Sequence, residues 1–386
     1  MASKSIYLDN AATTRPDPEV IAAMNEALEK HWGNPSSIHE TGRWARVRLE
    51  EARQHVAELL GCRPDEIIFT SGGTEADNLA VLGVLEYCKD KKTHVITAAT
   101  EHHAILDTVH WCQSHGYEAT VLPVDSEGRV DPSDVKKAIR STTALISLMF
   151  VNNEIGTIHD IAEIGKVARE ADVVFHTDAV QAFGILPFSV ADLNADLVSV
   201  SSHKIYGPKG VGALYLKKGS RIHPRTHGGA QERNLRTGTE NVPGIIGFGK
   251  ACQLCRERMS QVAPEIRALR DRLQREIVKS IEDVRINGSR THRAPGILNC
   301  SFTGCEGEAL LVGLDMQGIA VSTGSACTAG AAGASHVLRA IGLSQEMAQA
   351  SLRFSFGRNN REEDVDAVME VLPGIVNRLR QMSPVR

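Results

Sequence analysis

The sequence predicts an α/β fold: a mostly parallel seven-stranded sheet clothed by helices, followed by a smaller α+β C-terminal domain. Three observations lead there. Between residues 66 and 216, short β-rich runs alternate with amphipathic helical segments, the pattern of strands that pair in parallel and are covered on both faces. The chain has 386 residues, 42% hydrophobic and 23% charged, which supplies enough apolar surface for a large core and enough length for two domains. After residue 241 the alternation gives way to one long charged helical stretch and then to sparser strands. The expected divisions are an N-terminal segment (1–15) packing with the small domain, a large domain (16–247) and a small domain (248–386).

Taken in order, Pro18 to Lys30 carries Val20, Ile21, Met24 and Leu28 at helical spacing, and a second helix runs from about Gly42 to Leu60 and stops at Gly61. Between them, Gly33-Asn34-Pro35-Ser36-Ser37 is turn chemistry, polar enough to line a pocket. The seven strands are placed at Glu66–Thr70, His94–Ala98, Glu118–Pro123, Ala144–Val151, Val173–Thr177, Leu197–Ser201 and Val211–Leu216. Helices at about Glu75–Cys88, Ala104–His115 and Ile161–Ala171 fill several of the gaps. The polar stretch from His227 to Asn241 is too long for a simple turn, and ordered loops of that length tend to carry function. Residues 242–280 read as a helical lever between the domains. Strands near Val284–Asn287 and Ile297–Ser301 and a helix from Glu362 to Arg380 build the smaller unit.

A net charge of -4 excludes the broad basic field that nucleic acid or an anionic membrane calls for. The N-terminus has no apolar signal region and no apolar run reaches the ~18 residues of a membrane span, so the expected location is cytoplasmic. The eight cysteines are scattered without a framework of spacings, as in reduced proteins. The single Cys-x-x-Cys, Cys252 to Cys255, lies inside a helical pattern and reads as packed small hydrophobes.

Chemistry gathers at the strand ends, where open parallel sheets bind ligands. Lys204 follows the run Leu197–Ser201 and precedes a turn punctuated by Gly207, Gly210 and Gly212, an unusual place for a lysine. Thr70-Ser71-Gly72-Gly73-Thr74-Glu75 links a strand to a helix and offers amides and hydroxyls to a phosphate, although helix capping accounts for the same residues equally well. It lacks the Walker spacing. Thr100-Glu101-His102-His103 brings an imidazole to another strand end, where it could stack on a planar group. Asn152-Asn153-Glu154 ends a buried run, and Asp178 ends the run Val173–Thr177, where an aspartate is costly unless it faces a cation. Lysine, aspartate, phosphate seat and stacking ring together are a protein's contribution to pyridoxal 5'-phosphate chemistry.

On the pieces Tyr-Leu-Asp-Asn-Ala-Ala-Thr-Thr (7–14), Phe-Thr-Ser-Gly-Gly-Thr-Glu (69–75), Thr-Glu-His-His (100–103), Val-Asn-Asn-Glu-Ile-Gly (151–156), Asp-Ala-Val-Gln (178–181), Ser-His-Lys-Ile-Tyr-Gly-Pro-Lys-Gly (202–210), Arg-Thr-Gly-Thr-Glu-Asn (236–241) and Gly-Ser-Ala-Cys-Thr (324–328), the chain resembles the cysteine desulfurases of the pyridoxal-phosphate-dependent class V aminotransferase superfamily, from Tyr7 nearly to the C-terminus. The resemblance implies a fold type I transferase and a homodimer with shared active sites. It makes Lys204 the Schiff-base lysine, pairs Asp178 with the pyridinium nitrogen, puts Gln181 on the ring hydroxyl and stacks His102 on the ring. Gly73, Thr74, Ser201 and His203 would hold the phosphate, joined by Thr239 from the partner subunit. Asn153 and Arg353 would bind the substrate carboxylate, for which a guanidinium fork suits the geometry.

The second reactive residue is Cys327, in a stretch (322–335) of little but Gly, Ala, Ser and Thr. A tight small-residue loop is one reading and a mobile arm the other. Six residues beyond Val321, an extended chain could carry the thiol up to ~20 Å. The resemblance places Thr-Gly-Ser-Ala-Cys-Thr with the group I cysteine desulfurases. The expected reaction is L-cysteine to L-alanine, with sulfur kept as a persulfide on Cys327 for an acceptor in iron–sulfur cluster assembly or tRNA thiolation. No intrinsic metal is expected; a persulfide on Cys327 would be the contact with a nascent iron–sulfur cluster on a partner. A selenocysteine lyase or aminotransferase of the same fold, and a non-catalytic sulfur carrier, are the alternatives. The bland Gly-Ala-Ala-Gly-Ala-Ser-His run after Ala329 leaves the two kinds of acceptor equally open.

Overall fold

The computed structural model describes residues 5–323 and 334–382. In chain order its elements are β1 (Ile6–Tyr7), α1 (Pro18–Lys30), α2 (Glu40–Leu60), β2 (Ile67–Thr70), α3 (Gly73–Cys88), β3 (His94–Ala98), α4 (His103–Ser114), β4 (Glu118–Leu122), α5 (Pro132–Ala138), β5 (Thr143–Ser147), α6 (Ile161–Glu170), β6 (Val174–Asp178), β7 (Leu197–Ser201) and β8 (Gly212–Leu216). The long helix α7 (Val242–Ser280) leads to β9 (Val284–Asn287), β10 (Ile297–Phe302), α8 (Gly307–Asp315), β11 (Ile319–Ala320), α9 (His336–Ala340), α10 (Gln345–Gln349), β12 (Ser351–Ser355) and α11 (Glu362–Met382).

All seven strands expected in the first part of the chain join one sheet, in the order β2-β8-β7-β6-β5-β3-β4. Every pairing is parallel except those of β8, which runs antiparallel to both β2 and β7. Burial on both faces explains the near-continuous apolar runs. Ile67 and Phe69 point into the core shared with α1, α2 and α7, whereas Ile68 between them points into the core under α3 and α4. Helix α2 stops at Gly61, whose φ of 67° is the left-handed conformation that ends helices.

Two differences from the expected elements have local causes. The run expected as a strand to Val151 is regular only to Ser147, although Leu148 N and Phe150 N still donate to His176 O (3.1 Å) and Asp178 O (2.8 Å) on β6 before Asn152 turns the chain, its Oδ1 accepting from the amides of Glu154 and Ile155, both at 2.9 Å. An apolar run cannot by itself distinguish strand from buried extended coil. Helix α5 was not expected; Asp131 caps it by accepting from Ser133 N at 2.7 Å, but its seven residues are too few for a helical period to show.

Helix α7 spans both cores: Ile245, Phe248 and Leu254 pack under the large sheet, and Leu269, Leu273 and Ile277 pack against β10, β12 and α11. Cys252 and Cys255 are members of the first core, and burial pushes the Cys255 thiol up to about 12, so both behave as apolar side chains. The chain start crosses to the second core, since β1 pairs in parallel with β11 (Ile6 opposite Ile319), and β9-β10-β12 form an antiparallel sheet beside it.

Candidate functional site

The carboxyl ends of β2, β3, β6 and β7 surround a cavity of about 410 Å³, closed on the far side by the N-terminal segment and by β12. Its lining includes Gly73, Thr74, His102, Asn153, Asp178, Gln181, Ser201, His203, Lys204 and Arg353, residues drawn from six separate stretches of sequence. Of the expected site residues among those described, one lies elsewhere. Thr239 is exposed and outside the cavity lining, and Cys327 lies outside the described residues. The Pro35-Ser36 turn lines a different cavity of about 400 Å³ with Arg53 and Glu232.

Lys204 ends a short 3-10 turn that continues β7, and its Nζ donates to the carbonyl oxygens of Ala11 (2.5 Å) and Ala12 (2.7 Å). The turn after it is held in place from outside. Tyr206 has φ 65°, unusual for an aromatic residue. Its N–H donates to Thr14 Oγ1 at 2.7 Å, its hydroxyl accepts from Arg358 N at 2.7 Å, and the Arg358 guanidinium lies 3.8 Å over its ring. Gly212 is needed for close approach: a Cβ there would come within 2.8 Å of the Gly72 backbone, where β8 passes under the α3 entry.

Asp178 Oδ1 accepts from Val180 N at 2.8 Å, and Gln181 Nε2 donates to Ala11 O at 2.8 Å. Burial lifts the Asp178 carboxyl to about 6, while the Val180 amide and Lys204 oppose the rise. His102 caps α4, its Nδ1 accepting from Ala104 N at 3.1 Å, so any ring proton sits on Nε2. Burial and the nearby Lys204 hold the ring neutral, with its pKa lowered to about 4. Arg353, 2% exposed, donates from Nη1 to Asn153 O (2.8 Å) and from Nη2 to Asp9 Oδ1 (2.7 Å), and its buried Nε has no hydrogen-bond partner. Asn153 thus contributes its backbone to the arginine.

Ala11, Ala12, Asp77, Met149, Glu154 and His336, to which the sequence alone gives no role, also line the cavity. Ala11 and Ala12 lie within a quoted piece, and Asp77 follows Gly73 by four residues, so the two share one face of α3. Those were the available signals.

The class-V aminotransferase profile matches residues 6–368. The chain belongs to the class-V aminotransferase family. Within it, a protein named cysteine desulfurase IscS from Dictyoglomus turgidum is 51% identical over 381 residues, spanning 99% of this chain and 97% of that one. A second of the same name, from Methanosarcina thermophila, is 49% identical over 99% and 94% of the two chains. A solved NifS-like protein superimposes with a TM-score of 0.91 at 36% identity, covering 97% of this chain and 99% of its own. This class-V chain is therefore a member of the cysteine desulfurases, fold type I enzymes whose cofactor is pyridoxal 5'-phosphate.

The residues present fit that cofactor. Ser201 Oγ is buried with no hydrogen-bond partner, an unsatisfied donor at a strand end. Beside it α3 begins at Gly73 after Gly72, which offers no side-chain cap, so the first helical amides are left for an anion. Gly73 has no room for a larger residue, since a Cβ would meet Val180 Cγ2 at 2.8 Å.

A buried pair braces this seat from behind. Arg53 donates through Nη1 (2.9 Å) and Nη2 (2.7 Å) to Glu232, which also accepts from Phe69 N at 2.8 Å, and Arg236 nearby reaches Glu75 at 3.0 Å. Glu232, Arg233 and Asn234 all have positive φ (38°, 59° and 60°), a strained turn that the pair holds in place. Glu232→Ala should therefore destabilise the protein by about 3–5 kcal/mol by leaving Arg53 buried and unpaired. Urea unfolding reads this directly, and a loss below ~1 kcal/mol would show that the pair does not hold the turn.

Proposed function

We propose that this cysteine desulfurase converts L-cysteine to L-alanine and passes the sulfur to Cys327 as a persulfide. The observation that carries the reading is the placement of both flanks of the Cys327 segment at the cavity rim. Before it, Ser322 and Arg353 exchange backbone hydrogen bonds (2.7 and 3.2 Å); after it, Ser335 Oγ donates to Glu154 and His336 Nε2 to Glu101 O at 2.9 Å. Glu154, His336 and Arg353 themselves line the cavity.

Gly73, Thr74, Ser201 and His203 would hold the cofactor phosphate, Asp178 and Gln181 its ring, His102 its face and Lys204 its aldehyde carbon. When bound, the cofactor supplies the electron sink that loosens the substrate's Cα–H and Cβ–S bonds. Lys204 moves the proton at Cα. Arg353 and Asn153 orient the substrate carboxylate. The Cys327 thiolate attacks the substrate sulfur and forms an S–S bond. The electrons of the broken C–S bond stay on Cβ, which takes up a proton to become the methyl group of alanine, so no outside oxidant is required. Thr239, exposed and away from its own cavity, serves a second copy of the chain in a homodimer. The persulfide then goes to an acceptor protein of iron–sulfur cluster assembly or tRNA thiolation. No described helix is long and apolar enough to cross a membrane, and the proposed location is the cytoplasm.

Cys327→Ala should bind the cofactor with unchanged colour and yet release no alanine from cysteine beyond a trace. Undiminished alanine formation by this variant would remove Cys327 from the reaction.

A further inference from the structure

Behind the cofactor seat lies a set of buried polar groups that the reaction described above does not use. Asp77, on the first turns of α3, is 1% exposed and lines the cavity alongside Asp178. The cation nearest to it by sequence type is no cation. His176 Nε2 lies 3.6 Å from Asp77 Oδ1, but the ring is wholly enclosed, burial pulls its pKa down to about 3, and both nitrogens are engaged elsewhere. Ser147 Oγ is 2.9 Å from Nδ1 and Ser199 Oγ is 2.9 Å from Nε2. In a neutral ring one nitrogen donates and the other accepts. The ring is thus satisfied by the two serines, while Asp77 Oδ1 is buried with no hydrogen-bond partner among the described residues. Strand register sets up this chain, for His176 stands opposite Ser147 on β5, and Ser199 on β7 stands opposite Asp178.

Asp77 is thus a carboxyl removed from water with no donor on its buried Oδ1, and it shares the cavity with a second buried acid, Asp178, while the Asp178 and Glu101 charges both act against its ionisation. Asp178 differs in having an amide donor, Val180 N at 2.8 Å. Two carboxyls in one dry site do not both ionise, and the proton settles on the one with fewer donors. The α3 amides favour an anion near the helix start, but those are the groups turned toward the phosphate seat at Gly73 and Thr74.

We propose that Asp77 is a protonated positioning residue: it carries the one proton that the Asp77–Asp178 pair shares, and so leaves Asp178 as the carboxylate that faces the cofactor's ring nitrogen. This rests on the cofactor reading above and adds a residue to it. Burial and the Asp178 charge both raise the Asp77 pKa, in the same sense.

The test locates the proton without relying on turnover. Infrared spectra of the holoenzyme near pH 7, compared with and without carbon-13-labelled aspartate, should show a protonated aspartic carboxyl, a band that the label moves and a glutamic acid at Glu101 does not share. The band should vanish in Asp77→Asn. Asp77→Asn, a neutral mimic, should keep cofactor absorbance and stay within about threefold of wild-type kcat/KM, whereas Asp178→Asn should lose both. Absence of any label-sensitive band in the wild type, or its persistence in Asp77→Asn, would overturn the proposal, as would Asp77→Asn failing as severely as Asp178→Asn. Cofactor binding, read separately by absorbance, tests the seat itself, so the two ideas fail independently.

Discussion

Lys204→Ala should yield a protein that still folds but no longer holds its cofactor covalently, with cysteine turnover reduced by at least ~10³-fold, within the range expected for removal of a positioned proton-transfer group alone. Borohydride reduction followed by peptide mass mapping reads the covalent link: the wild type should carry the cofactor's mass on the peptide containing Lys204, and the variant on none. The backbone around Lys204 should survive because it is fixed by groups other than the amine. Thr14 N and Oγ1 both bond His203 O, at 2.9 and 2.8 Å, and Tyr206 is held by Thr14 and Arg358. Ala11 O and Ala12 O lose a donor, but Gln181 remains on Ala11 O. A variant that keeps the covalent cofactor would place the anchor on another lysine.

Arg353→Ala should show the second large effect, a fall in kcat/KM of about 30- to several-thousand-fold, corresponding to the ~2–5 kcal/mol lost when one member of a buried hydrogen-bonded charge pair is truncated. Most of it should appear as a higher KM, because a carboxylate clamp acts on the ground state and the transition state alike. Arg353→Lys separates charge from geometry. It keeps the positive charge but not the planar fork that reaches Asn153 O and Asp9 together, so it should recover only part of the loss. A full recovery by lysine would show that charge alone matters there. An unchanged KM in the alanine variant would move the carboxylate site away from β12.

How much of this was legible in the sequence follows from the range of each interaction. Asp178, Ser201 and Lys204 could be found because each ends a β-rich run, and strand ends of a parallel sheet converge on one edge whatever the loops do. The strand bounds at His94–Ala98 and Leu197–Ser201 and the helix at Pro18–Lys30 were readable for the same reason: alternation, helical period and a proline at the first turn are local signals. By contrast, β1 is two residues long and exists through pairing with Ile319 and Ala320, more than three hundred positions away, which no local pattern encodes. Arg353 entered through family resemblance, since an arginine in a run of β-rich residues does not announce its partner Asp9. Asp77 was hidden more thoroughly. A polar residue on an amphipathic helix ordinarily faces water, and only the packing of α3 against β6 and β7 turns this one inward.

The central claim is that the cavity around Lys204 delivers the sulfur of cysteine to Cys327. The most direct measurement is a single turnover of the holoenzyme with sulfur-labelled L-cysteine, followed by alkylation and peptide mapping under non-reducing conditions. The account predicts about one alanine released per active site, with the label held as a persulfide on the peptide that contains Cys327. Label found on any of the other seven cysteines, or alanine formed with the label released only as free sulfide, would contradict it.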